Sequence, residues 1–279
     1  MSTTTTFFDA DIERWRAQRL ERLTAPDGWL TLIGLPWLEQ GDNSIGSAAD
    51  NVIVVEGLPA HFGNVHLDAD GEVVITLIGE GLVDGEAKSS ATLLDDDHPH
   101  PTLVSAGDIG FFLIRRGERI GLRIKNVHAD TREHFQGLDY FPPDPSWRVE
   151  AEWHPTAPGE VLEMMTAIGT LEKHPVAGRA VFEHDGQRCE LLPVVESPED
   201  KQYFLVFADQ TSGKETYGAA RFLYTEAPEN GRIVLDFNKA YNPPCVFTAF
   251  ATCPMAPPEN RLPLRITAGE LKYAGASHD

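Results

Sequence analysis

Hydrophobic residues follow a helical period only at the start of the chain. Several of them fall within one broad stripe at about 100° per residue, which is typical of an amphipathic helix. These are Phe8, Ile12, Trp15, Leu20 and Leu23. Acidic residues precede basic ones along this segment, in the order that the helix dipole favours, and "TAPDG" (24–28) ends the pattern. We therefore predict an N-terminal helix that packs its stripe against a β core.

The rest of the chain contains short apolar or alternating runs, each bounded by Gly, Pro, Asp or Asn. Such runs are typical of β-strands. The runs span 51–55, 73–78, 110–115, 119–124, 147–153, 180–184, 187–192, 203–208, 221–226, 232–238 and 262–267. Apart from its first helix, the chain is therefore predicted to be all-β.

One pair of neighbouring runs predicts a hairpin whose register can be specified. In "FEHDGQRC" (182–189), Asp185-Gly186 is a dipeptide that favours a two-residue turn with positive φ. That turn places Phe182 opposite Cys189, and an acid opposite an arginine on the other face. The register predicts that the Cys189 side chain lies in the core.

The run "FFLIRRGERIGLRI" (111–124) predicts a second hairpin with a longer turn. A three-residue loop over 116–118, with Gly117 in the left-handed region, would pair Ile114 with Ile120 across the strands. A two-residue turn would instead set an arginine against Ile120. We expect the longer loop because it pairs apolar residues with each other.

Length and turn content bear on the domain organisation. A chain of 279 residues accommodates one large domain or two smaller ones. The proline-rich stretch "DYFPPDPSW" (139–147) is typical of a connection between two folded parts. We therefore expect an N-terminal helix over 1–27, a first β unit over 28–138 and a second β unit over 139–279.

The charge balance narrows the classes of partner. The chain carries 43 acidic and 23 basic side chains, a formal net charge of −20. Nucleic acids and anionic membranes attract mainly lysine and arginine, so neither is an expected partner. The N-terminus does not resemble a secretory signal, and no run approaches about 18 apolar residues. We expect a cytoplasmic protein with reduced cysteines, and the sequence does not indicate its oligomeric state.

Long segments of the sequence resemble a known family. They read "APDGWLTLIGLPWLEQGDNSIGS" (25–47), "FADQTSGKETYGAARFLY" (207–224) and "LDFNKAYNPPCVFTAFATCPMAPPENRLPLRITAGE" (235–270). Together they are similar to the uncharacterised family named domain of unknown function sixteen-eighty-four, over roughly residues 10–273. Met255 and Ala256 depart from the usual residues of that family. The resemblance implies no activity, because none is established for the family.

The first β unit resembles a second family in its layout. The order of "NVIVV" (51–55), "GEVVITL" (71–77) and "AGDIGFFLIRRGERIGLRI" (106–124) is similar to that of the forkhead-associated β-sandwich, which implies a sandwich fold. That family binds phosphothreonine with an Arg after the first Gly and a Ser before a His. Here Ser47 stands in place of the Arg, and "LPAHFG" (58–63) supplies no Ser. The planar guanidinium that grips phosphate is therefore missing.

The second β unit contains the densest group of reactive side chains, in "DFNKAYNPPC" (236–245). Alternation along the strand predicted over 232–238 places Asp236 and Asn238 on one face at its end. One interpretation is a pocket in which Asp236 acts as acid, base or ligand anchor, while Asn238 and Tyr241 orient a substrate. A second is a buried polar network that satisfies backbone groups of the loop, and a third is an interface.

The function predicted from these features is the binding of a small molecule or peptide in a pocket of the second β unit, which is a β barrel or sandwich. In a hydrolase-like variant Asp236 is the catalytic residue, and whether any reaction occurs stays open. The other predicted pocket residues are Thr211, Thr216, Tyr217, Arg221, Asn238, Tyr241 and Glu259. A non-catalytic protein-interaction scaffold is the alternative.

Neither a cofactor nor a metal is expected from the sequence. The acids and histidines of "DDDHPH" (95–100) lack the ligand spacing of zinc sites and are typical of a solvated loop. Cys245 and Cys253 lack a CxxC spacing as well. These two cysteines could approach each other across a tight loop, and the sequence leaves their pairing open.

Overall fold

The computed structural model describes residues 3–197 and 201–275, with side chains described from residue 7 onward. The chain opens with helix α1 (Thr3–Thr24). It divides into two compact units. The N-terminal unit is Thr24–Phe135, and the C-terminal unit combines Met1–Leu23 with Gln136–Asp279. Helix α1 therefore belongs, up to Leu23, to the unit that the end of the chain forms.

Two five-stranded sheets make up most of the N-terminal unit, and a short helix, α2 (Asp130–Glu133), follows them. The strands are β1 (Leu32–Gly34), β2 (Gly41–Gly46), β3 (Ile53–Val54), β4 (Gly63–Leu67), β5 (Val73–Leu77), β6 (Leu82–Val83), β7 (Ser90–Thr92), β8 (Val104–Ala106), β9 (Ile109–Arg116) and β10 (Arg119–Asn126). Their orders are β1-β10-β9-β8-β6 and β3-β2-β4-β5-β7.

The two sheets of the N-terminal unit share one apolar core. Val65 and Ile75 point inward from the second sheet, because alternate residues of β4 and β5 are buried. Phe111 and Leu122 point inward from the first sheet and belong to the same cluster. This unit is therefore a β-sandwich, and the prediction of a mainly β chain with an N-terminal helix is confirmed.

The C-terminal unit has one four-stranded sheet and two ribbons within its described residues. Its strands are β11 (Arg148–Pro155), β12 (Val161–Met165), β13 (Leu171–Pro175), β14 (Gly178–His184), β15 (Gln187–Leu191), β16 (Gln202–Phe207), β17 (Arg221–Glu226) and β18 (Arg232–Asp236). The sheet has the order β15-β14-β11-β18, and the ribbons are β12-β13 and β16-β17. These pairings leave the described sheets open, so they do not form the closed barrel that was one of the two expected architectures.

Side chains from the sheet and from the β16-β17 ribbon form the core of the C-terminal unit. Leu205 and Leu223 lie opposite each other in the ribbon and are fully buried. Leu235 and Phe237 come from the end of β18 and the turn that follows it, and belong to the same cluster. The core therefore holds the "DFN" segment against the ribbon.

The hairpin expectations had different outcomes. The register in which Phe182 faces Cys189 is confirmed, and Cys189 is buried. The three-residue loop is wrong: β9 and β10 are joined by a two-residue turn, and Ile120 pairs with Arg115. The inner face of β9 carries Phe111 and Leu113, so the longer alternative would have turned these side chains outward.

The run 262–267 was predicted to be a strand and has no strand ladder. Its alternation is nevertheless visible in the burial, because Leu262, Leu264 and Ile266 are buried and the residues between them are exposed. Pro263 cannot donate a ladder hydrogen bond. The alternating apolar pattern therefore predicts correctly which side chains are buried, whereas the predicted strand is wrong.

Helix α1 is held to the C-terminal unit by a buried charge. Arg19 lies seven residues after Ile12 and four before Leu23, on the buried face of the helix. Its Nε donates to Glu270 Oε1 at 2.9 Å, and its Nη2 donates to the Asn242 carbonyl at 3.1 Å. Glu270 Oε2 accepts the Asn242 backbone N–H at 2.8 Å, which completes the network.

The predicted stripe of α1 needs one correction. Leu20 was expected on the buried face, but 42% of its surface is exposed, whereas Arg19 is only 8% exposed. A pattern based on apolar residues cannot place a buried arginine, because its burial depends on a carboxylate elsewhere in the chain.

Exchange of Arg19 for Met tests whether this ion pair anchors the helix. Loss of one partner leaves the Glu270 carboxylate buried without its cation, so we expect the free energy of unfolding to fall by about 3 kcal/mol. Urea denaturation followed by tryptophan fluorescence measures it. Arg14→Met on the same helix is the matched control, since the Arg14 side chain is 68% exposed. A similar loss of stability in both variants would contradict the proposal that the buried Arg19–Glu270 pair anchors the helix.

Candidate functional site

Asp236 and Asn238 lie together and form hydrogen bonds with each other and with loop backbone. Asp236 ends β18 and caps the 3-10 turn Phe237–Lys239, accepting the Asn238 backbone N–H at 3.2 Å. The Asn238 side-chain Nδ2 donates to the Asp144 carbonyl at 2.9 Å and to Asp236 Oδ1 at 3.0 Å. Its Oδ1 accepts the Asp144 backbone N–H at 2.9 Å.

This arrangement matches the second interpretation of the sequence, a network that satisfies loop backbone. Asn238 is only 1% exposed, and its amide group bridges two chain segments that are far apart in sequence. Lys239 Nζ lies 4.0 Å from Asp236 Oδ2 and donates to Asp11 Oδ2 of α1 at 2.6 Å. That hydrogen bond lowers the pKa of the Asp11 carboxyl. A catalytic role for Asp236 stays a prediction.

Thr211, Thr216 and Arg221 form a second group around a residue that the sequence analysis missed, Asp209. Arg221 Nη1 donates to Asp209 Oδ2 at 2.7 Å, and its guanidinium also donates to the Ile266 and Ala268 carbonyls. The Thr211 backbone N–H donates to Asp209 Oδ1 at 2.7 Å. The Thr211 hydroxyl contacts that oxygen too, and lies 2.8 Å from the Thr216 hydroxyl.

The environment of this second group is that of a structural ion pair. The side chains of Arg221 and Asp209 are 2% and 0% exposed. Burial lowers the pKa of the Arg221 guanidinium, while the nearby Asp209 carboxylate opposes that effect. Asp209 could have been recognised in "DQT", because an aspartate two residues before a threonine favours a turn closed by its own side chain.

Tyr241 belongs to an aromatic cluster on the face of the β16-β17 ribbon that is opposite the core. We define this aromatic cluster as Phe204, Phe222, Tyr224 and Tyr241. The Phe204 ring centroid lies 4.8 Å from Phe222 and 4.9 Å from Tyr224. The Tyr224 and Tyr241 rings are nearly parallel, at 12°, with centroids 6.4 Å apart. Tyr224 is 40% exposed, so part of the cluster faces solvent.

Charged groups border the aromatic cluster. The Arg19 guanidinium lies 4.7 Å from the Tyr241 ring centroid. The Tyr224 hydroxyl donates to Glu196 Oε2 at 2.7 Å. Burial raises the pKa of the Tyr241 hydroxyl, so this phenol stays neutral at physiological pH.

Tyr217 lies in a different group, beside two thiols. The Cys245 sulfur is 3.6 Å from the Tyr217 hydroxyl oxygen, and the Cys245 backbone N–H donates to the Cys253 sulfur at 3.2 Å. All three cysteines of the chain lie among the described residues and none is in a disulfide. Burial raises the pKa of the Tyr217 hydroxyl.

Glu259 is exposed on the 3-10 turn Pro258–Asn260, while its neighbour Asn260 is buried. Asn260 Nδ2 donates to the Leu192 and Val206 carbonyls, and its Oδ1 accepts the Leu192 backbone N–H. Asn260 is not among the site residues predicted from the sequence. The described contacts therefore distribute the eight predicted residues over five separate groups.

The acidic stretch 95–100 of the N-terminal unit uses its charges for arginine pairs. Asp95 Oδ2 accepts from Arg115 Nε at 3.0 Å, and Asp96 Oδ2 accepts from Arg116 Nη2 at 2.6 Å. Burial raises the pKa of Asp97. Among residues 3–197 and 201–275, no three potential metal ligands of the His, Cys, Asp and Glu types come together.

Exchange of Asn238 for Ala tests the structural role of the Asp236–Asn238 network. The variant leaves both backbone groups of Asp144 without their partner, so we expect the free energy of unfolding to fall by about 1–3 kcal/mol in urea denaturation. Gln202→Ala is the control, because its hydrogen bond to Glu226 is exposed and its loss should cost under about 0.5 kcal/mol. Wild-type stability of the Asn238→Ala variant would favour the pocket interpretation instead.

Ten chains of solved structures match this chain, among them the following two. A solution structure of an uncharacterised protein of Haloarcula marismortui is 31% identical, with a TM-score of 0.44, over 52% of this chain and 80% of that one. A forkhead-associated domain from a study of phosphothreonine-dependent interactions is 14% identical, with a TM-score of 0.22, over 34% of this chain and 96% of that one. Because both TM-scores are below 0.5, neither match carries an argument about function.

Curated proteins give no match. No described helix is both long and apolar enough to cross a membrane. Residues 133–271 match a family described as "Protein of unknown function (DUF1684)", a narrower range than the predicted resemblance. Through this C-terminal half, the chain belongs to the DUF1684 family.

Proposed function

We propose that the C-terminal unit binds a small organic cation, or a peptide through a basic side chain, on the aromatic cluster around Tyr224. The observation that carries this proposal is a solvent-exposed tyrosine ring held by other aromatic rings and bordered by carboxylates. Aromatic faces attract ammonium and guanidinium groups through the ring quadrupole. The proposal keeps the predicted ligand classes and places them at Tyr241 and its neighbours.

The aromatic cluster offers a rigid contact surface. Phe204 and Phe222 are 6% and 5% exposed, so they fix the Tyr224 ring from within the unit. Tyr224 itself has few torsions to lose on binding, which makes an aromatic surface effective for recognition. Within the chain, Tyr241 already contacts a guanidinium, that of Arg19, so one ring of the cluster interacts with a cation in the folded state.

Carboxylates next to Tyr224 favour a positive ligand. Glu196 accepts the Tyr224 hydroxyl and is itself exposed. Glu226 follows two residues after Tyr224, on the same face of β17, and accepts a hydrogen bond from Gln202. The formal net charge of −20 adds a long-range attraction for cations.

Binding is better supported than hydrolysis by an aspartate. The carboxylates of Asp209, Asp236 and Glu270 each accept hydrogen bonds from within the unit. A general acid or base must be able to reach the substrate and exchange its proton during the reaction. Carboxylates held in structural networks are poorly suited to that task, so no reaction is assigned to them.

One observation favours the alternative function, an interaction scaffold. Met165 and Leu171 face each other across the β12-β13 ribbon and are 42% and 53% exposed. Exposed apolar pairs of this kind occur at protein interfaces. The pair is small and is interrupted along the ribbon by the Glu163–Lys173 ion pair, so the aromatic cluster remains the stronger candidate.

Titration of the protein with choline, followed by NMR or calorimetry, tests the proposal. We expect Tyr224→Ala to weaken binding about 5- to 30-fold, since a cation–aromatic contact contributes about 1–2 kcal/mol. Tyr224→Phe should retain most of the affinity because it keeps the ring, and Glu196→Gln should reduce it.

Two further probes test whether binding depends on the charge of the ligand and whether the ligand is a peptide. Neutral 3,3-dimethyl-1-butanol has the shape of choline without its charge and should bind much more weakly. A short arginine-containing peptide, compared with its citrulline counterpart, distinguishes a peptide ligand from a small molecule. Equal binding of choline and the neutral alcohol, or unchanged choline affinity in Tyr224→Ala, would refute the proposal.

A further inference from the structure

We propose that Cys245 and Cys253 form a redox-active dithiol, which exchanges with small-molecule disulfides and closes to an intramolecular disulfide. This inference is independent of the proposed cation binding. It rests on the position of the two sulfurs, on the Tyr217 hydroxyl beside them and on the different exposure of the two cysteines.

The backbone brings the two cysteines together. Cys245 lies in the 3-10 turn Pro244–Val246, which Pro243 and Pro244 introduce. The segment that carries Cys253 is fixed on its other side, because the Cys253 carbonyl accepts the Ala167 backbone N–H at 2.8 Å. The 3.2 Å hydrogen bond from the Cys245 N–H then places the Cys253 sulfur directly against the residue it would join. A disulfide joins cysteines whose Cα atoms lie about 4.4–6.8 Å apart, and a sulfur in contact with the main chain of its partner residue is compatible with that requirement.

The surroundings of Cys245 favour its thiolate. A hydrogen bond from the Cys253 side chain lowers the pKa of the Cys245 thiol, and the Tyr217 hydroxyl acts in the same direction, against the effect of burial. In the structure the Cys245 thiol donates to the Tyr217 hydroxyl oxygen. Because the Tyr217 pKa is raised, the phenol keeps its proton and can donate a hydrogen bond to the sulfur once Cys245 ionises. The thiolate is the form that attacks disulfides.

Exposure assigns different roles to the two sulfurs. Cys245 is partly exposed, whereas Cys253 is 7% exposed. A small-molecule disulfide therefore reaches Cys245 more readily than Cys253, and Cys253 is placed to attack the resulting mixed disulfide. The third cysteine provides an internal control, since Cys189 is 3% exposed in the β14-β15 hairpin and burial raises its pKa.

The exchange proceeds in two balanced steps. The Cys245 thiolate attacks one sulfur of a disulfide RSSR, forms the Cys245–SR bond and releases RS⁻, which takes up the proton lost by Cys245. Cys253, after losing its proton, attacks the Cys245 sulfur and releases the second RS⁻, which takes up that proton. The protein dithiol is thereby oxidised by two electrons, and RSSR is reduced to two RSH.

The test exposes the reduced full-length protein to oxidised glutathione at pH 7 and then blocks the remaining thiols with iodoacetamide. We expect the intact protein, weighed before alkylation, to have lost two hydrogens, and peptide mapping after alkylation to show a Cys245–Cys253 crosslink with Cys189 alkylated as a free thiol. In a sample that was oxidised but not alkylated, dithiothreitol should restore all three thiols. This measurement uses the wild-type protein, so its result does not depend on whether a variant folds.

Two variants check the order of events. Cys253→Ser should stop at a mixed disulfide of Cys245 with one glutathione, whereas Cys189→Ser should still form the intramolecular disulfide. The alkylation rate of Cys245 against pH should show an apparent pKa below that of an ordinary thiol, and Tyr217→Phe should raise that pKa. A wild-type protein that keeps both thiols, or that stops at the glutathione adduct, would overturn the proposal, as would a crosslink that involves Cys189.

Discussion

The burial of two arginines is the constraint on which the C-terminal unit depends. A buried guanidinium is tolerated only when a carboxylate and further acceptors replace the water it has lost. Arg221 obtains Asp209 and the carbonyls of Ile266 and Ala268, and Arg19 obtains Glu270. Both arginines therefore bind the segment around 266–270, which has no strand ladder of its own. Charge pairing fixes this irregular segment where backbone pairing does not.

The same constraint distinguishes the side chains of this unit that the fold requires from those that remain able to react or bind. Carboxylates that neutralise buried cations or cap turns are committed to the fold, and their removal would expose an unpaired charge or backbone group. The aromatic ring of Tyr224 and the thiols of Cys245 and Cys253 are different, because the fold positions them without using up their reactivity. Most polar side chains of the "DFNKAYNPPC" segment make hydrogen bonds that stabilise the fold. Only its last residue, Cys245, belongs to the proposed dithiol.

Local patterns in the sequence predicted the turns and strands that depend on neighbouring residues. They did not predict the burial and grouping of side chains whose partners are distant in sequence. The hairpin around Asp185-Gly186 follows from turn chemistry and alternation alone. Strands β2 and β4 escaped notice because their sequences, "GDNSIG" and "GNVHL", are rich in polar residues and glycine, although each buries its alternate positions. Arg19 and Asp209 were not recognised as buried because their partners lie in other segments. The grouping of Tyr217 with the cysteines likewise required the tertiary fold.

The position of Arg19 also bears on how the chain can assemble during synthesis. Its ion pair with Glu270 spans 251 residues of sequence, one of the longest separations in the molecule. At roughly 5–20 residues per second, the ribosome needs about 10–50 s to make Glu270 after it has made Arg19. In the later part of that interval the N-terminal unit is fully synthesised, whereas Arg19 still lacks its carboxylate partner. A ribosome-associated chaperone that shields amphipathic helices therefore has this interval in which to bind α1.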